Sequence, residues 1–465
     1  MVLQRDRPIH IWGWADPNEP VSVSFNGATG NSVGDEYGRW SVYFPPQPAG
    51  GPYTLNVAGT TLEDVLVGDV WFASGQSNME MPLKGFEGSA VVKNSEAEIS
   101  GAKNPNIRLL FVPHKASEYP LRDAPASWTV CTPETAAGFS AAAYFFGREL
   151  QSRERVPIGL IDSTWGGTPV EAWMSLEGIA RDASLMPVFA ARAVMTGQQA
   201  DMAQIIAAEK RADEAAKRAG QPAPHHDWHP APESWAPAGL FNGMIAPFVE
   251  FPIRGVIWYQ GESNSSSERA GLYEKAFPGM IADWRSHWRQ GDFPFLYVQI
   301  ANFGTKASEG WSLVREAQRR TLSVANTAMA VTIDVGDPDN VHPSDKQTVG
   351  ARLALGARAL AYGEKVEYAG PLFRQAANEG SSLRVWFDHA DGLNARGGEL
   401  VGFEVAGADK HFQTATGKIE GRSILVNSSQ VPRPQYVRYG WRNTTVVINL
   451  YNEARLPASP FTSQD

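Results

Sequence analysis

Hydrophobic and polar positions follow two rhythms along this chain of 465 residues. Over residues 1–64 the rhythm has period two, in Ile9-His10-Ile11-Trp12-Gly13-Trp14, Val21-Ser22-Val23-Ser24-Phe25 and Trp40-Ser41-Val42-Tyr43-Phe44, with Pro, Gly, Asn and Asp between the runs. Alternation of this kind puts every second side chain on one face of a strand, and such runs at close spacing predict a small β-sandwich. No helical periodicity accompanies them.

From residue 65 the rhythm changes. Apolar runs at Val65–Ala73, Ile107–Val112, Ile158–Ile161, Ile253–Tyr259, Phe293–Ile300 and Met329–Ile333 are separated by segments of helical period. Strands alternating with helices predict a parallel sheet covered on both faces, in a catalytic domain over residues 65–364. Helices are expected over Ser140–Arg153, Leu313–Ala325 and Ser344–Tyr362. In the last, Val349, Leu353, Gly356 and Leu360 share a face and Gly363 closes the end. Residues 180–236 read as an insertion, with an Ala/Glu/Lys/Arg-rich helix over 199–219 and then a Pro/His-rich loop. After residue 365 period-two runs return at Leu383–Phe387, Ile424–Val426 and Thr445–Ile448, so a β-rich region over 365–465 is expected to close the chain.

Composition narrows the class. Hydrophobic residues at 43%, charged residues at 20% and a formal charge of −9 describe a globular protein with no basic face for nucleic acid. No apolar run is long enough to span a membrane. Met1–Asp6 offers no signal-peptide core, so no export signal is visible in the sequence as it stands. Cys131 is the single cysteine, which excludes an internal disulfide and leaves the compartment open. His225, His226 and His229 sit in a Pro-rich stretch without a nearby ligand framework and are expected in a solvated loop, not at a metal.

Candidate chemistry gathers at the ends of the apolar runs. Val70-Trp71-Phe72-Ala73 leads into Ser74-Gly75-Gln76-Ser77-Asn78, which reads as a buried strand delivering Ser77 to a sheet edge. Ligands of parallel sheets collect at the carboxyl ends of strands, so Ser77 is a candidate nucleophile there. An ordinary loop can share this composition, so a base and oxyanion donors are also needed. His342, in Asp334-Val335-Gly336-Asp337-Pro338-Asp339-Asn340-Val341-His342, follows another strand. Asp339 three residues earlier is placed to orient its imidazole, with Asp337 and Asp334 as rivals. Trp165-Gly166-Gly167-Thr168 and Gln260-Gly261-Glu262-Ser263-Asn264 each follow a strand and offer backbone and amide N–H groups for a developing oxyanion. Gln76, Trp165 and Gln260 flank these motifs and are candidates for holding substrate, with buried structural hydrogen bonding as the alternative for the two glutamines. Arg315 is a candidate for a substrate carboxylate, against a default of surface ion pairing.

Taken together, Gly75-Gln76-Ser77-Asn78, the glycine pair, Gly261-Glu262-Ser263-Asn264 and Asp339-x-x-His342 resemble the four blocks of the SGNH (GDSL-type) hydrolases, and among them the sialate O-acetylesterase-like carbohydrate esterases. The resemblance extends to Val67–Trp71, Trp165–Trp173, Leu240–Ile245, Gly255–Glu262 and Leu456–Phe461. It implies an α/β protein: a flavodoxin-like parallel-sheet catalytic domain flanked by amino- and carboxyl-terminal β-sandwich-type regions. It implies Ser77 as nucleophile, His342 as base and Asp339 as orienter, although some family members work as Ser–His dyads. An oxyanion hole would come from the Ser77 N–H, Gly166 or Gly167, and Asn264. The implied substrate is an acetylated mono-, oligo- or polysaccharide, cleaved without metal or organic cofactor, and family analogy points to the periplasm or the exterior. A carbohydrate-binding protein on a hydrolase scaffold, or a lipid acylesterase or thioesterase, are the alternatives. Neither the glycan, its acetylated position nor the oligomeric state is legible.

Overall fold

The computed structural model describes residues 1–224, 226, 229, 231–304, 310–442 and 448–464, apart from the side chains of 199 and 200. The period-two runs at the amino end form strands β1 (Val2–Gln4), β2 (Ile9–Trp14), β3 (Pro20–Phe25), β4 (Ala28–Val33), β5 (Arg39–Phe44) and β6 (Gly50–Val57). β2 pairs with β5 as an antiparallel ribbon, and β3 pairs with β4 and β6. Ile9, Ile11, Val42 and Phe44 of the ribbon meet Val21, Val23, Phe25 and Leu55 in an apolar core of their own.

Strand β7 (Thr60–Gly75) joins this layer to the next without a linker. Its first half pairs with β1 and β6, through Val2↔Leu66 and Tyr53↔Val65. Its second half enters a sheet with β8 (Asn104–Phe111), β9 (Trp128–Cys131), β10 (Ile158–Thr164), β11 (Gly255–Tyr259), β12 (Phe295–Gln299) and β13 (Thr327–Val331). The order is β9-β8-β10-β7-β11-β12-β13, and every pair is parallel except β8–β9. All six apolar runs singled out in the sequence therefore lie in this one parallel array, as β7, β8, β10, β11, β12 and β13.

The helices in use here are α1 (Ser77–Glu80), α2 (Ala141–Glu154), α3 (Gln199–Arg218), α4 (Ala270–Trp288), α5 (Gly310–Arg320) and α6 (Lys346–Leu360). Neighbouring residues of β7 show how the faces are covered. Trp71 and Phe72 point to opposite sides of the pleat. The Trp71 ring meets Phe146 of α2 edge-on at 5.0 Å, and the Phe72 ring meets Trp284 of α4 at 6.0 Å. Both are fully buried, each worth roughly 1.5–3 kcal/mol of apolar burial, so β7 is fixed from both sides. Helix α5 ends at Arg320, short of the expected Ala325, because the chain tightens into a 3-10 turn over Thr321–Ser323.

Helix α3 occupies the expected insertion. Its carboxylates reach the following loop: Asp213 Oδ1 lies 2.8 Å from His226 Nε2 and Glu209 Oε1 lies 3.0 Å from His229 Nε2. The two histidines are thus paired to acidic partners distant in sequence, where a freely solvated loop was expected; His225 lies outside the described residues. The carboxyl end forms two antiparallel four-stranded sheets, one containing Ser382–Asp388 and Ser423–Asn427, the other Phe403–Ala406 and Tyr436–Tyr439. Their apolar residues belong to the same core as the parallel sheet. Of the expected strand Thr445–Ile448, residues 445–447 lie outside the described residues. Among those described, no helix is long and apolar enough to cross a membrane.

Candidate active site

The register of the parallel sheet sets Thr164, Gly75 and Tyr259 side by side at the carboxyl ends of β10, β7 and β11. The three motif loops therefore leave the sheet together. Gly75 has φ +134°, and a Cβ there would stand 2.2 Å from the Tyr259 carbonyl oxygen. Only glycine makes that turn beside β11. The turn hands the chain to α1, whose first residue is Ser77.

The Ser77 Oγ lies 2.9 Å from Nε2 of His342. These residues are 265 positions apart in the chain. The Phe86 ring packs edge-on against the imidazole at 5.2 Å. Burial, and after it the charge of Lys346, push the His342 pKa down to about 4, so the ring is neutral at neutral pH and free to accept a proton.

Asp339 is exposed, and among the described residues it forms neither a hydrogen bond nor an ion pair with His342. The turn itself explains the departure from the expected contact. Asp339 N–H donates to Asp337 Oδ1 at 2.9 Å and His342 N–H donates to Asn340 Oδ1 at 2.9 Å, so two side-chain turns set the path of the loop. Of the rivals, Asp334 is bound by Arg352 in a forked ion pair at 2.6 and 2.7 Å.

The donor positions are built from three loops. Among the described residues the N–H groups of Ser77 and Gly167 donate no hydrogen bond, and the first N–H groups of a helix have no intrahelical acceptor. The Gly166 N–H donates to Glu80 Oε2 at 2.6 Å. A Cβ on Gly166 would lie 2.8 Å from that oxygen and 3.2 Å from Ser77 Cβ, so this backbone passes directly against the serine. Glu80 Oε1 also meets His114 Nε2 at 3.0 Å, and the His114 ring lies flat on Trp165 at 4.4 Å. Neither Glu80 nor His114 stood out in the sequence. Asn264 is buried; its Oδ1 accepts from Val170 N–H at 2.9 Å and Gln260 Nε2 at 2.6 Å, and its Nδ2 donates to Glu171 at 3.0 Å, leaving one amide hydrogen.

A second group of polar residues lies around Asn78. Its Nδ2 donates to Glu262 Oε1 at 2.6 Å and to the carbonyl of Val341 at 2.9 Å, while its Oδ1 accepts from Lys346 Nζ at 2.5 Å. Lys346 is fully buried, and burial lowers its pKa to about 7. Asn78 thereby ties the serine helix to the residue preceding His342. Asn78 and Glu262 are in the motifs, yet this link and the part of Lys346 have no sequence signal, since a lysine opening a helix ordinarily reads as solvated.

The remaining candidates divide. Gln76 and Gln260 are buried and hold loops together: Gln76 Oε1 accepts from Gly261 and Ser263 N–H at 3.3 and 3.2 Å, and Gln260 Nε2 also donates to the Thr168 carbonyl at 3.1 Å. Trp165 is partly exposed beside Gly166. Arg315 is neither a surface ion pair nor open to a substrate. It is fully buried, its guanidinium donates to the carbonyls of Ile300, Ala301 and Arg442 and to Asn302 Oδ1, and burial lowers its pKa to about 9.

Residues 67–204 and 231–359 match the family described as "Carbohydrate esterase, sialic acid-specific acetylesterase". The chain is 34% identical over 417 residues to a sialate O-acetylesterase of Homo sapiens, covering 80% of this chain and 71% of that protein. To the Mus musculus sialate O-acetylesterase it is 30% identical, covering 100% of this chain and 92% of that one. The crystal structure of a carbohydrate acetylesterase from Xanthomonas citri superimposes with a TM-score of 0.85 at 37% identity, covering 100% of this chain and 97% of that one.

Proposed function

This chain belongs to the sialic acid-specific acetylesterase family of carbohydrate esterases and is a carboxylic ester hydrolase, and on that footing we propose that it removes O-acetyl groups from a sugar through an acyl-enzyme on Ser77. The observation that carries this reading is the 2.9 Å approach of Ser77 Oγ to His342 Nε2 at the carboxyl end of the central strand. His342 Nε2 takes the serine proton as Oγ attacks the acetyl carbonyl carbon. The oxyanion forms against the N–H groups of Ser77 and Gly167 and the remaining amide hydrogen of Asn264. Gly166 joins them once Glu80 moves off its N–H. Collapse expels the sugar oxygen, which takes the proton from His342, and water deprotonated by the same nitrogen then releases acetate.

Ser77 and His342 act in this reading as a pair, and the Asp339→Asn variant tests for a third member. We assign residues 1–64, the catalytic unit 65–364 and residues 365–465 as its three parts, the first boundary falling within the continuous strand β7. Omission of 205–230 from the family match favours treating 180–236 as an insertion. The parallel sheet with its nucleophile after the central strand supports an SGNH-type assignment: numbered in chain order, β10-β7-β11-β12-β13 follow the 2-1-3-4-5 order of flavodoxin, with β8 added outside β10. Trp165, stacked with His114 beside Gly166, is the side chain best placed to meet the sugar. The names of the relatives make acetylated sialic acid the first substrate to try.

The test is acetate release from 9-O-acetylated sialic acid, acetylated xylo-oligosaccharide and nitrophenyl acyl esters, by the parent, Ser77→Ala and His342→Ala. Serine-dependent release from a glycan is expected. Silence of the folded parent on every acetyl ester would favour a binding protein, and preference for long acyl chains a lipid esterase.

A further inference from the structure

The β2–β5 ribbon has one face with no share in any core. Its register sets His10 opposite Tyr43 and Trp12 opposite Ser41. Since Ile9, Ile11, Val42 and Phe44 fill the amino-terminal core, alternation turns His10, Trp12, Ser41 and Tyr43 outward. That outer face is nonetheless built of rings. Tyr43 lies parallel on His10 at 4.2 Å, and His10 stacks on Trp12 at 4.8 Å. Tyr43 is 63% exposed, which leaves its other face to solvent.

These rings form one wall of a cavity of about 1030 Å³ whose other wall is the carboxyl end of α4 and the segment leading to β11. Its charged lining is Arg7, Arg39 and Arg289 together with the carboxylates Asp35, Glu177 and Glu250. Gln290 Nε2 is buried and makes no hydrogen bond among the described residues. Arg39 is paired with Glu250 at 2.6 Å, but Arg7 and Arg289 form no ion pair among the described residues. Burial, and after it the charge of Arg254, push the Arg7 pKa down.

We propose that this cavity is a second saccharide site that holds an acidic sugar. Tyr43 takes the C–H face of the ring on its exposed side, Gln290 donates to a hydroxyl, and Arg7 and Arg289 bind the carboxylate. The site is remote from Ser77. The Arg254 N–H, two residues after the cavity-lining Pro252, donates to the Val70 carbonyl, and from Val70 the strand runs five residues to its end at Gly75, roughly 17 Å at ~3.3 Å per residue, before the turn into Ser77. A glycan held here stays tethered while its acetyl groups are presented at the other end of the sheet. The choice of a saccharide rests on the carbohydrate-esterase reading; the binding itself does not need turnover.

The experiment is calorimetric titration of unacetylated tetragalacturonate, with neutral xylotetraose alongside, into the full chain, Tyr43→Ala and Arg7→Gln. Saturable binding of tetragalacturonate is expected, weakened about tenfold by either substitution and about tenfold weaker for xylotetraose. Hydrolysis of nitrophenyl acetate stays within about twofold of the parent in both variants, since neither residue is near the serine. Absence of saturable binding, equal binding of the neutral tetramer, or binding untouched by both substitutions would overturn the proposal. Failure of the parent to hydrolyse any ester while these titrations hold would instead remove the esterase reading alone.

Discussion

Lys346 Nζ donates to the amide oxygen of Asn78 at 2.5 Å, one residue beyond Ser77 and inside the core. This contact and the Asn78 bond to the Val341 carbonyl hold the serine helix and the histidine loop in one frame. Asn78→Ala removes the tie. It should lower kcat by about tenfold or more while leaving KM nearly unchanged, because the Ser77–His342 alignment and not substrate contact is lost. A rise in KM alone would show that Asn78 touches substrate instead.

Lys346→Met leaves the buried Asn78 amide oxygen without its lysine donor and takes away the positive charge acting on Glu262, and should cost about 1–3 kcal/mol of stability, read from denaturant unfolding. The same substitution removes one of the two effects that hold the His342 pKa down. In the surviving folded protein the acid limb of kcat/KM should therefore move to higher pH. A limb unmoved by Lys346→Met would contradict the electrostatic link.

The pH profile of the parent follows from the same histidine. Burial disfavours the imidazolium, so the base stays neutral down to about pH 4. Activity governed by it is present above that value and lost as pH falls through it. kcat/KM should be level from neutral pH to about 5 and fall about tenfold per unit below the pKa. A limb near 6.5 would mean that an anion engages the imidazole in the working enzyme.

Asp339 makes no contact with His342, and Asp339→Asn should therefore reduce kcat by less than about tenfold, against about 10⁴ where an orienting aspartate is removed from a triad. Steady-state kinetics of this one variant separate a dyad from a triad. A loss of the larger size would show that the loop closes onto the imidazole during turnover.

Gly166→Ala sets a methyl group 2.8 Å from Glu80 Oε2 and 3.2 Å from Ser77 Cβ. The strand behind it is untouched, so kcat should fall by about 10² with the unfolding midpoint little changed. An unaltered kcat would remove Gly166 from the oxyanion site.

What the sequence makes visible here depends on how local the cause is. β7, β10, β11, β12 and β13 are legible because a buried parallel strand must be a continuous apolar run, and Ser77 and His342 because each follows such a run. That they meet depends on register, which periodicity does not carry. The Asp-x-x-His spacing alone does not bring Asp339 to the imidazole, because turns at Asp337 and Asn340 decide where the loop goes. At Arg315 the residue type misleads. An arginine reads as surface charge, yet here its five donors replace water at carbonyls from Ile300, Ala301 and the distant Arg442. The Glu80–His114 pair and the Lys346–Asn78 bond join segments far apart in sequence and leave no mark on either.

The central claim is that Ser77 carries the acyl group. Rapid acid quenching during turnover of an acetyl ester, followed by peptide mapping, tests it directly. The account predicts an acetyl adduct on the peptide bearing Ser77, absent in Ser77→Ala together with acetate release. Full activity in Ser77→Ala, or an adduct on another residue, would contradict it.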